Sequence, residues 1–197
     1  MKKVFAVACL VATIFICGCG GDKTARQENS KPKVPVNVIR EKLKELSTGL
    51  DVRVDDMKEV TYYTCPINSD LHPSIWIIPY VVVDKNFNAS LRQGILYVGN
   101  EPLYFDTLYV KTSNGVETFQ YPKTIKSVNR GYVGEEYSGL MTDALYKKLQ
   151  AAVTEGGAKF RLEGKTFGER ELTPKEIANM DKVFKIYELL SSVDVEK

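Results

Sequence analysis

The sequence predicts an α+β fold: an antiparallel β-sheet or small β-sandwich of about six to eight strands, with a short N-terminal helix and two helices in the C-terminal third. Three observations carry that expectation. The middle of the chain is a series of β-branched and aromatic runs separated by turn residues. In the last third the apolar spacing changes to the helical period. A strong helix start, Thr173-Pro174-Lys175-Glu176, stands near the end.

Taken in order, VPVNVIREKLKEL comes first, with Asn37 placed to cap a short helix. Its apolar positions Val38, Ile39, Leu43 and Leu46 fall on one side, and Gly49 follows as a stop. The strand-like runs are KEVTYYT, SIWIIPYVVVD, ASLRQGILYVG, PLYFDTLYVKT, VETFQYPKT and IKSV. Asn68-Ser69-Asp70, Asp84-Lys85-Asn86, Gly99-Asn100 and Ser113-Asn114-Gly115 supply turn chemistry between them. Asn114-Gly115 is the sharpest signal, because both central residues of a type I′ turn need positive φ. It pairs the strand ending near Thr112 with the one starting near Val116.

Phe119 and Tyr121 alternate with Thr118 and Gln120, which suits a strand with one wet side. SIWIIPYVVV is apolar on both faces and belongs in the sheet centre. Pro79 within it cannot donate a ladder hydrogen bond and asks for a bulge or an edge. Farther on, Thr142 or Asp143 starts a helix that Gly156-Gly157 ends, with Leu145, Leu149, Ala152 and Val153 as its packing stripe. AKFRLEG then alternates Phe160 and Leu162 with Lys159, Arg161 and Glu163. Behind the capping box, Ile177, Met180, Val183, Phe184, Tyr187 and Leu190 recur at helical spacing over about 15 to 18 residues.

The first residues have a different character. Lys2 and Lys3 precede an apolar run from Val4 to Ile16, well short of the roughly 20 apolar residues a spanning helix needs. The run ends in Ile16-Cys17-Gly18-Cys19, which resembles the lipobox of bacterial lipoproteins. The resemblance covers only this leader, and Cys17 stands where Ser, Ala or Thr is commoner. It implies that Ile16, Cys17 and Gly18 are read by the export machinery. Residues 1–18 are then cleaved, and the Cys19 sulfur carries diacylglycerol. Two or three acyl chains hold a protein stably at a bilayer, since each buried methylene contributes about 0.8 kcal/mol. Gly20, in place of the Asp that commonly signals inner-membrane retention in this class, favours the outer membrane in a two-membrane cell. Residues 19–34, rich in Gly, Lys, Ser, Asn and Pro, are expected to form a flexible tether, and 35–197 a single globular domain.

The full chain has 27 basic and 25 acidic residues, formally +2. Losing Lys2 and Lys3 with the leader leaves 25 of each. A neutral chain lacking a basic stripe is a poor nucleic-acid binder, and Lys147-Lys148 is expected on a solvated helix face. With Cys19 lipidated, Cys65 is the one remaining thiol of the mature chain, so no internal disulfide forms and the core must hold the fold.

Candidate chemistry is sparse. His72 is the single histidine, and Cys65, Asp70 and His72 fall short of the ligand set of a zinc site or a paired nucleophile and base. Core packing for Cys65 and a loop position for His72 are expected. Glu135-Glu136 are adjacent and so diverge in a strand, which makes solvated charge their expected role. Neither Gly131-Tyr132-Val133-Gly134 nor Gly156-Gly157 has the surroundings of a phosphate loop. No catalytic residue, metal ligand or cofactor is therefore assigned. The chain has 11 Tyr and one Trp, many in strands, and exposed rings could stack on a sugar or grip a peptide. Tyr62, Trp76, Tyr80 and Tyr104 are the candidate ligand-facing rings, although aromatics favour strands on packing grounds alone.

The expectation for function is a lipid-anchored envelope protein with a non-catalytic binding or assembly role. Its partners are membrane lipid through acylated Cys19 and an envelope protein or glycan, with no nucleic acid. An envelope hydrolase acting on glycan or lipid, or an inhibitor or immunity lipoprotein, is the alternative.

Overall fold

A computed structural model describes residues 31–67, 74–122, 124–129 and 132–196. The leader, Cys19, Asp70 and His72 lie outside them. The chain opens with β1 (Lys33–Pro35), α1 (Val36–Leu46), β2 (Asp51–Asp55), β3 (Val60–Thr64), β4 (Ser74–Asp84) and β5 (Ala89–Gly99). It continues through β6 (Thr107–Thr112), β7 (Gly115–Gln120), β8 (Ile125–Asn129) and β9 (Tyr132–Leu140) to α2 (Asp143–Glu155). β10 (Lys159–Glu163), β11 (Phe167–Glu171), α3 (Pro174–Ser191) and β12 (Asp194–Glu196) complete it. The class is α+β, as the sequence predicts.

The strands make an antiparallel six-stranded sheet in the order β2-β3-β4-β5-β9-β8 and an antiparallel four-stranded sheet, β11-β10-β6-β7. β1 and β12 pair in parallel as a separate two-stranded unit. The described residues thus form twelve strands, more than the six to eight that the sequence predicts. The additional ones are short or polar: β2 reads DVRVD and β11 reads FGERE. Their residues gain a sheet by pairing with an apolar neighbour rather than through their own propensity.

One continuous core joins the inward faces of the two larger sheets to the helices. Ile75, Ile77, Val81 and Val83 of β4 and Leu91 and Ile95 of β5 meet Val183, Phe184 and Ile186 of α3 in the same buried cluster. Leu108, Val110, Phe160 and Leu162 bring in the four-stranded sheet, and Leu145 and Leu149 of α2 belong to the same cluster. Phe160 is fully buried, so truncating it to Ala costs about 3–5 kcal/mol. Arg170 on β11 ties the parts together. Its guanidinium donates to the Ile75 carbonyl on β4 and makes a two-pronged pair with Glu176 on α3.

Pro79 sits inside β4, paired with Gln93 without a break in register. The β3 ladder ends at Thr64↔Tyr80, with the Pro79 carbonyl still accepting from the Cys65 amide at 3.5 Å. Among the described residues the strand is flanked on both sides over Tyr80–Val83 and paired on the β5 side alone over Ser74–Ile78, so Pro79, which cannot donate, stands where the second neighbour ends.

α2 and α3 form as expected. The Thr142 side chain accepts from the Leu145 amide, and Gly156 closes α2 at φ 76°. α3 has the full capping box between Thr173 and Glu176 with Pro174 in the first turn. α1 differs: Pro35, not Asn37, precedes its first turn and no side chain caps it. Ile39 and Leu43 are buried while Val38 is exposed. The β6–β7 turn also differs. Its loop is Ser113-Asn114, and there only Gly115 has positive φ, at 101°. α2 sets this turn from outside, because Glu155 accepts from the Ser113 amide at 2.7 Å and the Asn114 side chain at 2.8 Å. Lys148, expected in solvent, is buried and donates to the Gly115 carbonyl at 2.9 Å. No described helix is long and apolar enough to cross a membrane.

Candidate functional site

The two larger sheets present very different outward faces. On the four-stranded sheet, Lys159 and Arg161 both pair with Glu169, and Thr118 and Gln120 are exposed beside them. This is an ordinary wet face whose charges cancel locally. The outward face of the six-stranded sheet is a trough of about 380 Å³, lined by Asp51, Arg53, Tyr62, Thr64, Ile78, Tyr80, Gly94, Glu136 and Ser138.

Strand register assembles this surface. Because side chains alternate, one row crosses the sheet as Asp51↔Thr64↔Tyr80↔Arg92↔Leu140. A neighbouring row reads Arg53↔Tyr62↔Val82, and another Ile78↔Gly94↔Ser138. Gly94 forms the floor: a Cβ there would lie 3.6 Å from Ile78, so alanine fits and a larger side chain would occupy the trough. The Tyr62 and Tyr80 rings stand 6.5 Å apart with a 35° tilt, and the Arg53 guanidinium lies 4.6 Å from the Tyr62 ring centre.

Polar groups are fixed in the same place. Arg92 Nε donates to the Tyr80 hydroxyl at 3.2 Å, and that hydroxyl lies 2.8 Å from Ser138 Oγ. Arg92 can only donate, so the Tyr80 oxygen accepts from it, and the two hydroxyls share the remaining hydrogen bond. Among the described residues neither Arg53 nor Arg92 pairs with a carboxylate. Two tilted tyrosine rings, a serine hydroxyl, two guanidinium groups and the flanking Asp51 and Glu136 suit a ligand with an apolar ring face and several hydroxyls.

Of the four aromatic candidates, the structure brings together Tyr62 and Tyr80. Trp76 shares their face but is only 4% exposed and does not line the trough, so it offers no platform. Its Nε1 has no hydrogen-bond partner among the described residues. Tyr104 lies elsewhere, in the connection between β5 and β6, with φ 56° and Lys165 Nζ 4.2 Å from its ring centre. The run PLYFDTLYVKT therefore divides, and only its second half is strand.

Glu135 reverses the expectation of solvated charge. It is 0% exposed, and its two carboxylate oxygens accept the Tyr104 amide at 2.7 Å and the Phe105 amide at 3.0 Å. Glu136, next to it, is exposed and turned to the trough. Cys65 is buried as expected, and its thiol is pushed up to about 12 by burial first and by Glu176 and Asp51 second. No cluster of three or more His, Cys, Asp or Glu placed to hold a metal occurs among the described residues.

The sequence does not single out Arg53, Arg92 or Gly94, and it offers Ser138 only as a residue able to share a strand face with Glu136, not as a ligand contact. The period-two pattern of Asp51-Val52-Arg53-Val54-Asp55 is a strand signal that would have found the first. The other three need the β4–β5–β9 register, which a single sequence does not reveal. Comparison with protein-family models, with curated proteins and with solved structures finds no match to this chain.

Proposed function

We propose that this chain is a cell-envelope lipoprotein that binds glycan through the trough of its six-stranded sheet. Its leader directs export, and acylated Cys19 holds it at the membrane, the outer one where there are two. The observation that supports binding most directly is the half-buried pair Tyr62 and Tyr80, bordering the trough beside the Arg92–Tyr80–Ser138 chain. A sugar ring offers one apolar face to such rings and its hydroxyls to the surrounding donors and acceptors.

Asp51 and Glu136 both border the trough and invite a hydrolase reading. They stand on β2 and β9, four strand spacings apart. Measured along the sheet that is about 19 Å between backbones. A glycosidase pair needs carboxyls roughly 5 to 9.5 Å apart, so the spacing favours binding over hydrolysis.

Trp76, the single tryptophan, reports on this face by its fluorescence. Titrating the full chain with neutral and acidic oligosaccharides should give saturable changes, and Tyr62→Ala should weaken them about tenfold, near 1.4 kcal/mol. Saturation unaffected by Tyr62→Ala, or no response to any oligosaccharide, would reject the glycan site. Mass spectrometry of the mature amino terminus, with Cys19→Ser as control, tests the anchor separately.

A further inference from the structure

β2 is an outer strand of the six-stranded sheet, and its sequence is a palindrome, Asp51-Val52-Arg53-Val54-Asp55. An edge strand exposes unpaired backbone groups and is a template for another strand unless something blunts it. β2 contains neither Lys nor Pro. Val52 is 49% and Val54 62% exposed, so nothing in the described chain covers the edge.

We propose that β2 pairs antiparallel with β2 of a second copy, joining two six-stranded sheets across a two-fold axis. The side chains select the register. Centring the axis on Arg53 sets Arg53 against itself and Asp51 against Asp55, like charge on like charge. Centring it on Val54 sets Val52 opposite Asp56, and it requires Asp55, which is already engaged with the Lys58 amide at 3.2 Å and its ammonium at 3.8 Å. Centring it on Val52 sets Asp51 opposite Arg53 twice, Val52 against Val52, and Val54 opposite half-buried Leu50. Asp51 has no ion pair within its own chain among the described residues, so it is available.

A five-residue edge buries less than a standard stable interface, so pairing is weak in dilute solution and strengthened wherever copies are concentrated, as on a surface. Asp51 and Arg53 also border the trough, so pairing places two troughs side by side. The inference stands apart from the glycan reading.

The test is oxidative cross-linking of the full chain in its native membranes, using Val52→Cys and Val54→Cys variants. Cys65 is buried and does not compete. Val52→Cys should give a reducible dimer at least tenfold more readily than Val54→Cys. Adding Arg53→Asp should lower it about tenfold, because two attractive cross-strand pairs become repulsive, and Asp51→Arg with Arg53→Asp should restore it. Equal cross-linking at both positions, no dimer at Val52→Cys, or indifference to charge reversal would overturn the proposal. Melting curves of each variant confirm that a lost dimer is not a lost fold.

Discussion

Replacing Glu135 is the most demanding test of the interior. Its carboxylate is fully buried and satisfies two consecutive backbone amides, Tyr104 and Phe105, in a connection where Tyr104 takes a left-handed conformation. Glu135→Ala leaves both amides without a partner and opens a void. At about 1–3 kcal/mol per orphaned buried group, with the void added, the cost is about 3–6 kcal/mol. For a domain of this size each kcal/mol lowers Tm by about 2–4 °C, so Glu135→Ala should melt about 6–24 °C below the parent. Glu135→Gln keeps the shape and one acceptor but turns an amide NH₂ toward the other backbone N–H, for about 1–3 kcal/mol. Circular-dichroism melting supplies the magnitude, and hydrogen exchange at the Tyr104 and Phe105 amides supplies the location. Glu136→Gln, one residue along but exposed, should leave Tm within the equivalent of about 0.5 kcal/mol. A Glu135→Ala protein that melts within about 2 °C of the parent, or retains protection at those two amides, refutes the assignment.

Two further outcomes follow from the groups around β4. Burial opposes ionisation of Glu176, but the Arg170 pair, the Thr173 amide at 2.8 Å and the Thr173 hydroxyl outweigh it and hold the carboxyl below its usual 4.5. Its stabilisation is therefore complete above the unfolded value and is lost as pH falls through the lower folded value. Denaturant titrations from pH 7 to about pH 3 should show the parent converging on Glu176→Gln at the acid end, and a constant gap would contradict the sign. Cys65, with its thiol near 12, should resist iodoacetamide at neutral pH until the domain unfolds. Peptide-resolved alkylation against urea concentration measures this, and a rate independent of urea would place the sulfur at the surface.

What could be read from sequence was whatever rests on local chemistry. Thr173-Pro174-Lys175-Glu176 starts α3 because the cap, the proline and the glutamate act within one turn. Phe160 and Leu162 face the core because alternation needs only the strand itself. Other features depend on partners distant in the chain. The Ser113-Asn114 turn answers to Glu155 and Lys148 on α2, so the Asn-Gly rule lost to tertiary contacts. YVGEEYSGL has no strong strand texture and became β9 because β5 and β8 flank it, which also turned Glu135 inward. Trp76 was offered as a platform on composition, but packing over that end of β4 hides it. Tyr62 and Tyr80 meet only because Thr64↔Tyr80 fixes the β3–β4 register.

The small parallel pair β1 and β12 joins Lys33–Pro35 to Asp194–Glu196. The first and last described strands therefore lie side by side, with Lys33 opposite Asp194 and Pro35 opposite Glu196. A fluorophore or fused protein joined beyond Glu196 would therefore start beside Lys33. The domain could be reopened at an exposed turn such as Ser113-Asn114, with its present ends spliced together, at little geometric cost.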